Sequence, residues 1–262
     1  MFIFQVDNRP KEKTPLKDWD KEFVKLFHSQ LGKINAWTVW QSIIGGIACG
    51  LANVSDIDKE RHDKREAEYA RCAKTVGEDT LAEAMTIIVN ALDRNPEQDF
   101  LGKLFMDLGL GSNWNGQFFT PFSMSKLMSE MSVNDGVLQM IKDKGWGTVH
   151  DPACGAGSTL IGAVSALMHS EGVNYQRQVL FIGQDLDRTV AQMCYIQLSL
   201  LGCAGYVVVG DTLSNPIEGD GLFPVEKEGQ EFWYTPFWWD DIWTGRRWCH
   251  YLDMKLRHKK EA

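Results

Sequence analysis

The sequence predicts an α/β fold with a mainly parallel sheet, preceded by an all-helical N-terminal region. From about Gly116 onward, short β-branched and apolar runs alternate with helical segments, which is the pattern of βαβ units. Before Gly116, apolar residues recur at helical spacing, and no stretch shows the period-2 alternation of a half-buried strand. We therefore expect a helical domain over residues 1–112 and an α/β domain over residues 113–262.

The helices of the N-terminal region are predicted from apolar periodicity and from capping signals. Thr14-Pro15 is typical of an N-cap followed by proline at the first helical position. Gly45-Gly46 is expected to break the second helix, and the heavily charged third helix is expected to be solvated. The expected segments are one with Trp19, Phe23, Leu26 and Phe27 on one face, then 34–54, 56–74, 81–92 and 100–110.

The α/β region is predicted to contain at least three parallel strands with intervening helices. Its crossovers should be right-handed, and a ligand should lie beyond the carboxyl ends of the strands. The expected strands are 147–150, 179–182 and 206–209, and the expected helices are 123–131, 159–168 and 188–201.

Composition and charge restrict the function. The 262 residues carry a formal charge of −8, which argues against a free-standing nucleic-acid binder. The six cysteines have no metal-ligand spacing, so we expect reduced thiols, a cytoplasmic protein and no bound metal. Polar residues interrupt the most apolar window, 34–54, which favours a buried helix over a membrane span. Basic residues crowd the chain between Arg246 and Lys260, either as a solvated tail or as a phosphate-contacting patch.

The stretch from Thr148 to Ser158 is the strongest functional signal. It reads as a strand, a tight loop with the sequence Asp-Pro-Ala-Cys-Gly-Ala-Gly, and the start of an apolar helix. Gly155 and Gly157 permit positive φ and close approach of a ligand, which the first N–H groups of the helix would face. A P-loop would need Gly-Lys-Ser/Thr, and a dinucleotide fingerprint would need a third glycine where Leu160 stands. The remaining alternatives are a loop for S-adenosyl-L-methionine (AdoMet) and a glycine-rich turn without a ligand.

Two further aspartates follow the second and third predicted strands. Asp185 directly leaves the second strand and is preferred over Asp187 as an acceptor for the two hydroxyls of a ribose. Asp211 follows the third strand and can accept a hydrogen bond from the exocyclic amino group of an adenine. With Asp151 in the glycine loop, three carboxylates at three strand ends favour a nucleoside site over isolated turn-forming aspartates.

Four motifs occur in a fixed order: Gly116–Pro121, Asp151–Gly157, Gly183–Asp185 and Gly210–Leu213. In this order they resemble the AdoMet-dependent N6-adenine DNA methyltransferases, most closely the modification subunit of type I restriction-modification systems. The specific resemblance covers about residues 100–213, and the preceding helical region resembles that family's N-terminal domain in character only. It implies a Rossmann-like methyltransferase core, AdoMet as the cofactor and adenine in DNA as the methyl acceptor.

The resemblance also implies a role for each motif. The first motif would hold the methionine moiety, the glycine loop would face the amino and sulfonium groups, and the two later aspartates would hold ribose and adenine. The implied cofactor-binding residues are Phe119, Thr120, Pro121, Asp151, Pro152, Ala153, Gly155, Gly157, Asp185 and Asp211.

The sequence departs from the family at the catalytic motif, Asn/Asp-Pro-Pro-Tyr/Phe. In that motif a side-chain oxygen and a proline carbonyl accept the amino-group protons of the flipped adenine, and the aromatic ring stacks on the base. This chain has no such tetrapeptide. The best replacement is Thr235, Pro236, Phe237 and Trp238, and a shift by one residue gives Tyr234 to Phe237 instead. A threonine hydroxyl is a weaker acceptor, so activity is expected to be reduced or lost.

The C-terminal part also departs from the family. About two dozen residues follow Trp238, whereas the family's sheet has three more strands, so a truncated, half-built sheet is expected, with the fourth strand as an exposed edge. The aromatic residues between Trp233 and Trp248 would stack on bases or cover that edge. Oligomerisation or a complex would also cover it.

Two functional hypotheses follow from the sequence. The first is an AdoMet-binding DNA methyltransferase-like protein that methylates adenine N6, with sequence specificity supplied by a separate specificity subunit or another protein. The second is a catalytically inactive AdoMet-binding subunit or decoy that acts through protein partners.

Overall fold

A computed structural model describes residues 18–32, 34–111 and 120–261. The predicted features outside these residues include the Thr14-Pro15 cap, residues 116–119 of the first motif with Phe119 among them, and the boundary between 112 and 113. The predicted fold class is confirmed, because a helical region precedes a mostly parallel sheet flanked by helices.

In the part of the helical region that the structure describes, there are five helices. They are α1 (Trp19–Ser29), α2 (Ala36–Asn53), α3 (Lys59–Val76), α4 (Glu78–Arg94) and α5 (Phe100–Asp107). Helix α1 begins at a side-chain cap, since Asp18 accepts a hydrogen bond from the N–H of Lys21. Among the described residues, no helix is long and apolar enough to cross a membrane.

The predicted break at Gly45-Gly46 is wrong, because α2 continues through both residues. The glycines serve packing instead. A Cβ on Gly46 would lie 2.9 Å from the Leu81 side chain of α4, closer than non-bonded carbons approach. Helix α3 is charged as expected, but Arg65 is only 5 % exposed and contacts the sheet. The interpretation of α3 as a fully solvated helix is therefore wrong on this face.

The α/β region supplies the remaining elements. Its helices are α6 (Phe122–Ser132), α7 (Leu138–Lys144), α8 (Ser158–Met168), α9 (Tyr175–Gln178), α10 (Arg188–Leu200) and α11 (Asp241–Glu261). Its strands are β1 (Gly147–Asp151), β2 (Val179–Asp185), β3 (Ala204–Val209), β4 (Glu218–Asp220), β5 (Phe223–Val225) and β6 (Glu231–Tyr234). A π-helical turn, Val133–Val137, joins α6 to α7, and a 3₁₀ turn, Pro236–Trp239, follows β6.

The main sheet has the strand order β1-β2-β3-β6. Strands β1, β2 and β3 are parallel, with Asp151 opposite Gly183 and Asp185 opposite Val209. Strand β6 runs antiparallel to β3. Its expected place as a further parallel strand is wrong, but β6 is the last strand of the described sheet, as expected for an edge strand, and the side chains of residues 232–234 are buried. Strand β1 is the edge strand at the other end of the described sheet.

Alternate residues of the strands face two cores. Phe181 and Val207 pack among the helices on one face, whereas Leu180 and Tyr206 pack among aromatic side chains on the other. The first core is continuous with that of the helical region, so residues on both sides of the predicted domain boundary share one interior. The hairpin of β4 and β5 covers part of the second face through Leu222, which is 2 % exposed.

Candidate cofactor site

The glycine loop lies between β1 and α8, as predicted. Gly155 and Gly157 have φ of 55° and 98°, the left-handed region in which a side chain is disfavoured. A Cβ on Gly157 would also lie 2.9 Å from Sγ of Cys194 in α10. The loop therefore needs glycine at residue 157 both for its backbone conformation and for its packing against α10.

Hydrogen bonds join the loops that follow β1, β2 and β3 at one edge of the sheet, which we call the rim. The N–H of Cys154 donates to the carbonyl of Gln184 over 2.9 Å, and the Thr212 hydroxyl donates to the carbonyl of Pro152. The N–H of Gly210 donates to the carbonyl of Asp185 over 2.9 Å. The three strand ends thus form one continuous surface.

Asp185 is the most enclosed carboxylate of the rim. Its Oδ2 accepts from the N–H of Gly155 over 2.9 Å, and its Oδ1 accepts from the N–H of Asp187 over 3.0 Å. Burial raises the pKa of Asp185, and the neighbouring charges of Asp187 and Asp151 act in the same direction. Each oxygen keeps a second lone pair, so the carboxylate can hold the loop and still accept from a ligand.

Asp151 and Asp211 also bind the turns that follow them. Asp151 accepts from the N–H of Ala153 over 3.0 Å. Asp211 accepts from the Ser214 hydroxyl over 2.7 Å and from the N–H of Leu213 over 2.9 Å, and these bonds lower its pKa. Both carboxylates lie at the rim, as the sequence predicts.

Thr120 and Pro121 lie next to the glycine loop. The Ser158 hydroxyl at the start of α8 donates to the carbonyl of Thr120 over 3.3 Å and contacts the hydroxyl of Ser125 at 2.9 Å. The approach is close because α6 turns serines toward α8, where a Cβ on Gly162 would lie 2.8 Å from Oγ of Ser129. Thr120 and Pro121, the described part of the first motif, are thereby brought next to the glycine loop.

The predicted catalytic residues, Thr235, Pro236, Phe237 and Trp238, do not lie at the rim. Because β6 is antiparallel, its carboxyl end lies beside Gly205 near the start of β3. Gly205 precedes Val209 by four residues, which is roughly 13 Å along a strand at about 3.3 Å per residue. The tetrapeptide therefore lies near the end of the strands opposite to the glycine loop.

Thr235 has a structural environment instead. It is fully buried, and its hydroxyl donates to the carbonyl of Cys203 over 2.7 Å and accepts from the N–H of Gly205 over 3.0 Å. Trp238, 4 % exposed, packs edge-on against Tyr206. The aromatic residues that follow β6 cover one face of the sheet, which was one of the two interpretations of that cluster.

Two residues that the sequence did not single out hold the glycine loop from behind. Gln197 of α10 is fully buried, and its Nε2 donates to the carbonyl of Ala156 over 2.9 Å and to Oδ1 of Asp99 over 2.8 Å. Asp99 carries a detectable signal, since it follows Asn95-Pro96 and caps α5. Gln197 carries none, because a glutamine within a helix usually indicates a solvated face.

A cavity of about 630 Å³ lies elsewhere, along α7 and the end of α8, with Leu138, Ile141 and Val173 in its wall. None of the predicted site residues lines it. The candidate site is therefore the rim, defined by chemistry and by strand topology.

A glycine loop between a strand and a helix, with acceptors at the next two strand ends, defines the class of α/β proteins that bind nucleoside cofactors. The particular family follows from comparison with known proteins. The model of the N-6 DNA methylase family matches residues 110–243, just over half of the 262 residues, and the chain belongs to that family.

The chain is also similar to individual proteins over part of its length. It is 29 % identical over 113 residues to the type I restriction enzyme MjaIX methylase subunit of Methanocaldococcus jannaschii. That segment is 43 % of this chain and 18 % of the relative, so the chain matches a small part of that protein.

Two solved structures are similar to the chain at low sequence identity. A Listeria monocytogenes protein assigned to the class I S-adenosylmethionine-dependent methyltransferases has 16 % identity and a TM-score of 0.42, over 82 % of this chain and 67 % of that one. The type I restriction-modification methyltransferase subunit of Streptococcus thermophilus has 17 % identity and a TM-score of 0.37, over 75 % and 58 %.

The cofactor of this family is AdoMet, as the sequence predicts. The residues at the rim fit it. The carboxylates of Asp185 and Asp211 can accept hydrogen bonds from the hydroxyl and amino groups of the cofactor. The glycines of the loop leave space for a ligand.

Proposed function

We propose that this chain binds AdoMet at the rim and takes part in methyl transfer to the N6 of adenine in DNA. The observation that carries the proposal is the joining of the glycine loop to the ends of β2 and β3, which places all three aspartates at one edge. In a parallel sheet this edge is where ligands bind.

In this proposal Asp185 accepts hydrogen bonds from the ribose hydroxyls. It is the partly buried carboxylate of the rim, and a partly desolvated acceptor forms stronger hydrogen bonds than one in bulk water. Asp211 accepts from the adenine amino group of the cofactor, for which its exposed position next to the turn at Ser214 is suitable. Asp151 and the backbone of Pro152 and Ala153 face the methionine end.

The methionine moiety contacts Phe119, Thr120 and Pro121 in the same proposal. Thr120 is held at the first turn of α8 through Ser158, so a ligand on the glycine loop would lie against its backbone. The first N–H groups of α8 have no acceptor within the helix and favour the negative carboxylate of the cofactor.

AdoMet supplies an electrophilic methyl group on a sulfonium. The residues of this chain bind and orient it, and the target adenine must then be held with its amino group in line with the methyl. Since Thr235 to Trp238 lie far from the rim, we propose that another polypeptide positions the base. That partner, such as a specificity subunit, would also select the DNA sequence.

Calorimetric titration with AdoMet tests the cofactor site. Asp185→Asn should weaken binding by at least about tenfold, because a charged acceptor is lost. Asp187→Asn is the matched control, since it changes the same chemical group two residues away and keeps an oxygen that can cap α10 through Thr189 and Val190. Equal affinities for the two variants would contradict the ribose assignment, and no binding by the wild-type chain would contradict the proposed function.

Transfer is tested with AdoMet that carries a labelled methyl group and with mixed-sequence DNA. Digestion to nucleosides should place the label in N6-methyladenine. Label in any other nucleoside would contradict the proposed acceptor.

A second candidate is a catalytically inactive AdoMet-binding subunit that acts through protein contacts. It is favoured by the complete burial of Thr235, the polar residue that the sequence offers in place of the usual acceptor. AdoMet binding without transfer, both alone and with a specificity subunit added, would support this candidate over the first.

A further inference from the structure

We propose that Gln197 is a positioning residue for the cofactor loop and that Asp99 fixes its orientation, so that the helical region controls AdoMet affinity. The inference rests on the proposed AdoMet site at the rim. Neither residue touches that site, and both act through the peptide group between Ala156 and Gly157.

The peptide between Ala156 and Gly157 is held at both ends. Its carbonyl accepts from Nε2 of Gln197 over 2.9 Å, and its N–H donates to the carbonyl of Cys154 over 2.8 Å. Gly157 follows it directly and Gly155 precedes Ala156, and both glycines have positive φ, where glycine gives the backbone the most freedom. Fixing this peptide plane therefore fixes the direction of the loop N–H groups that face the ligand.

The amide of Gln197 has a single orientation that satisfies its neighbours. The N–H of Leu101 must face Oε1, which it does at 3.1 Å, whereas the carbonyl of Ala156 and the carboxylate of Asp99 must face Nε2. A flipped amide would oppose donor to donor and acceptor to acceptor in a fully buried place. Asp99 and Leu101 both belong to the helical region, so that region determines how the glutamine holds the loop.

Helix α10 supports the loop at a second point, one turn away. Cys194 packs against Gly157, where a Cβ would lie 2.9 Å from its Sγ. Asp99 is itself anchored, because its Oδ1 accepts from the N–H of Gly102 over 2.9 Å and the residue is 7 % exposed. The residues that connect α5 through α10 to the loop, Asp99 and Gln197, are therefore both buried.

The test measures AdoMet affinity and thermal unfolding for the same set of variants. Gln197→Met removes the three hydrogen bonds with little change in volume, and AdoMet affinity should fall roughly tenfold. Gln192→Met is the matched control, because Gln192 is buried on the same helix and its Nε2 has no hydrogen-bond partner. It should leave affinity unchanged. Gln197→Asn is the milder second variant, since it keeps an amide but withdraws it from Ala156.

Substitutions at Asp99 distinguish a positioning role from an effect on stability alone. Asp99→Asn keeps an oxygen that can accept from Gln197 and Gly102, so affinity should stay within about twofold of the wild type, whereas Asp99→Ala should lose affinity. A merely structural role would lower the unfolding temperature without changing the affinity of the folded protein. Unchanged affinity in folded Gln197→Asn or Gln197→Met would overturn the inference, and absence of binding by the wild-type chain would overturn the proposed function instead.

Discussion

The two ends of the parallel strands differ in almost every physical property. At the rim, carboxylates accept backbone hydrogen bonds and keep lone pairs directed to solvent, and the backbone passes through glycines with positive φ. At the opposite end, Thr235 and Trp238 are buried among aromatic rings, and the threonine hydroxyl has both of its hydrogen bonds within the protein. The rim keeps hydrogen-bond acceptors that a ligand can use, whereas the polar groups of the opposite end are satisfied within the protein.

This difference shows that the sequence pattern of Thr235 to Trp238, a polar residue followed by proline and two aromatic residues, does not by itself define a base-binding site. The direction of the preceding strand decides at which end such a motif lies. A ligand can be bound where acceptors remain open, so the rim should respond to substitution through affinity and the opposite end through stability.

The largest effect is expected for Arg65→Met, on stability. Arg65 donates to Oδ2 of Asp56 over 2.7 Å and to the carbonyl of Phe232 in β6 over 2.9 Å, and its guanidinium lies 4.7 Å from the Trp233 ring. Burial opposes ionisation of Asp56, but hydrogen bonds from Arg61, the N–H of Asp58 and Arg65 outweigh it and lower its pKa. Removing one partner should cost about 3–5 kcal/mol in urea unfolding. A loss below about 1 kcal/mol would mean that β6 is not held from the helical region.

Thr235→Val should have the next largest effect. It leaves the N–H of Gly205 and the carbonyl of Cys203 without their hydroxyl partner in a buried place, and about 2–3 kcal/mol of unfolding free energy should be lost. AdoMet affinity should stay the same. A selective loss of AdoMet binding, with stability intact, would show that the comparison between the two ends is mistaken.

A pH titration of Glu97→Gln against the wild type tests how α6 is held on α8. Glu97 accepts a hydrogen bond from Lys126 over 2.8 Å, contacts His169 at 2.9 Å and also accepts from Ser165. Burial raises the pKa of Glu97, but these hydrogen bonds outweigh burial and lower the pKa to about 2. Because the pKa is depressed in the folded state, the carboxylate stabilises the protein above about pH 4.5, and this is lost as pH falls toward 2.

The two proteins should therefore differ by about 1 kcal/mol or less near neutral pH, since the pair is partly exposed. The difference should vanish at the acid end of the titration. An unfolding midpoint difference that stays constant from pH 6 to pH 2, measured by circular dichroism, would rule out this role.

The smallest effect is expected for Asp211→Asn, on affinity. Asparagine keeps an oxygen for the N–H of Leu213, so the turn should persist, and only the charge toward the cofactor's amino group is lost. Calorimetry should show a severalfold weaker AdoMet complex, less than for Asp185→Asn. A larger loss at residue 211 than at residue 185 would reverse the proposed ranking of the two carboxylates.

The rim could be predicted from the sequence because its signals are local. The loop is specified by a strand, by Gly155 and Gly157, and by the apolar helix that follows. Because the strands are parallel, Asp185 and Asp211 come to the same edge of the sheet as this loop. The family resemblance added Thr120 and Pro121, which the packing of α6 against α8 brings to the loop.

The remaining features depend on contacts that local patterns do not contain. The direction of β6 is set by the hairpin before it and by residues such as Arg65, which lies 167 positions away from its acceptor Phe232. The role of Gln197 depends on its register on α10 relative to Ala156 and Asp99. A pair of glycines likewise predicts a helix break, whereas Gly46 admits the side chain of Leu81.

Two arginines also bear on how this chain changes during evolution. Arg65 of α3 reaches a β6 carbonyl, and Arg188 of α10 contacts Glu68 of α3 at 2.6 Å and Glu231 of β6 at 2.6 Å. A recombination event that exchanged the α/β part alone would replace one side of the Arg65–Phe232 contact and one side of the Arg188–Glu68 contact, and would leave a charged side chain with a mismatched partner. The helical region and the α/β part are therefore expected to be inherited together.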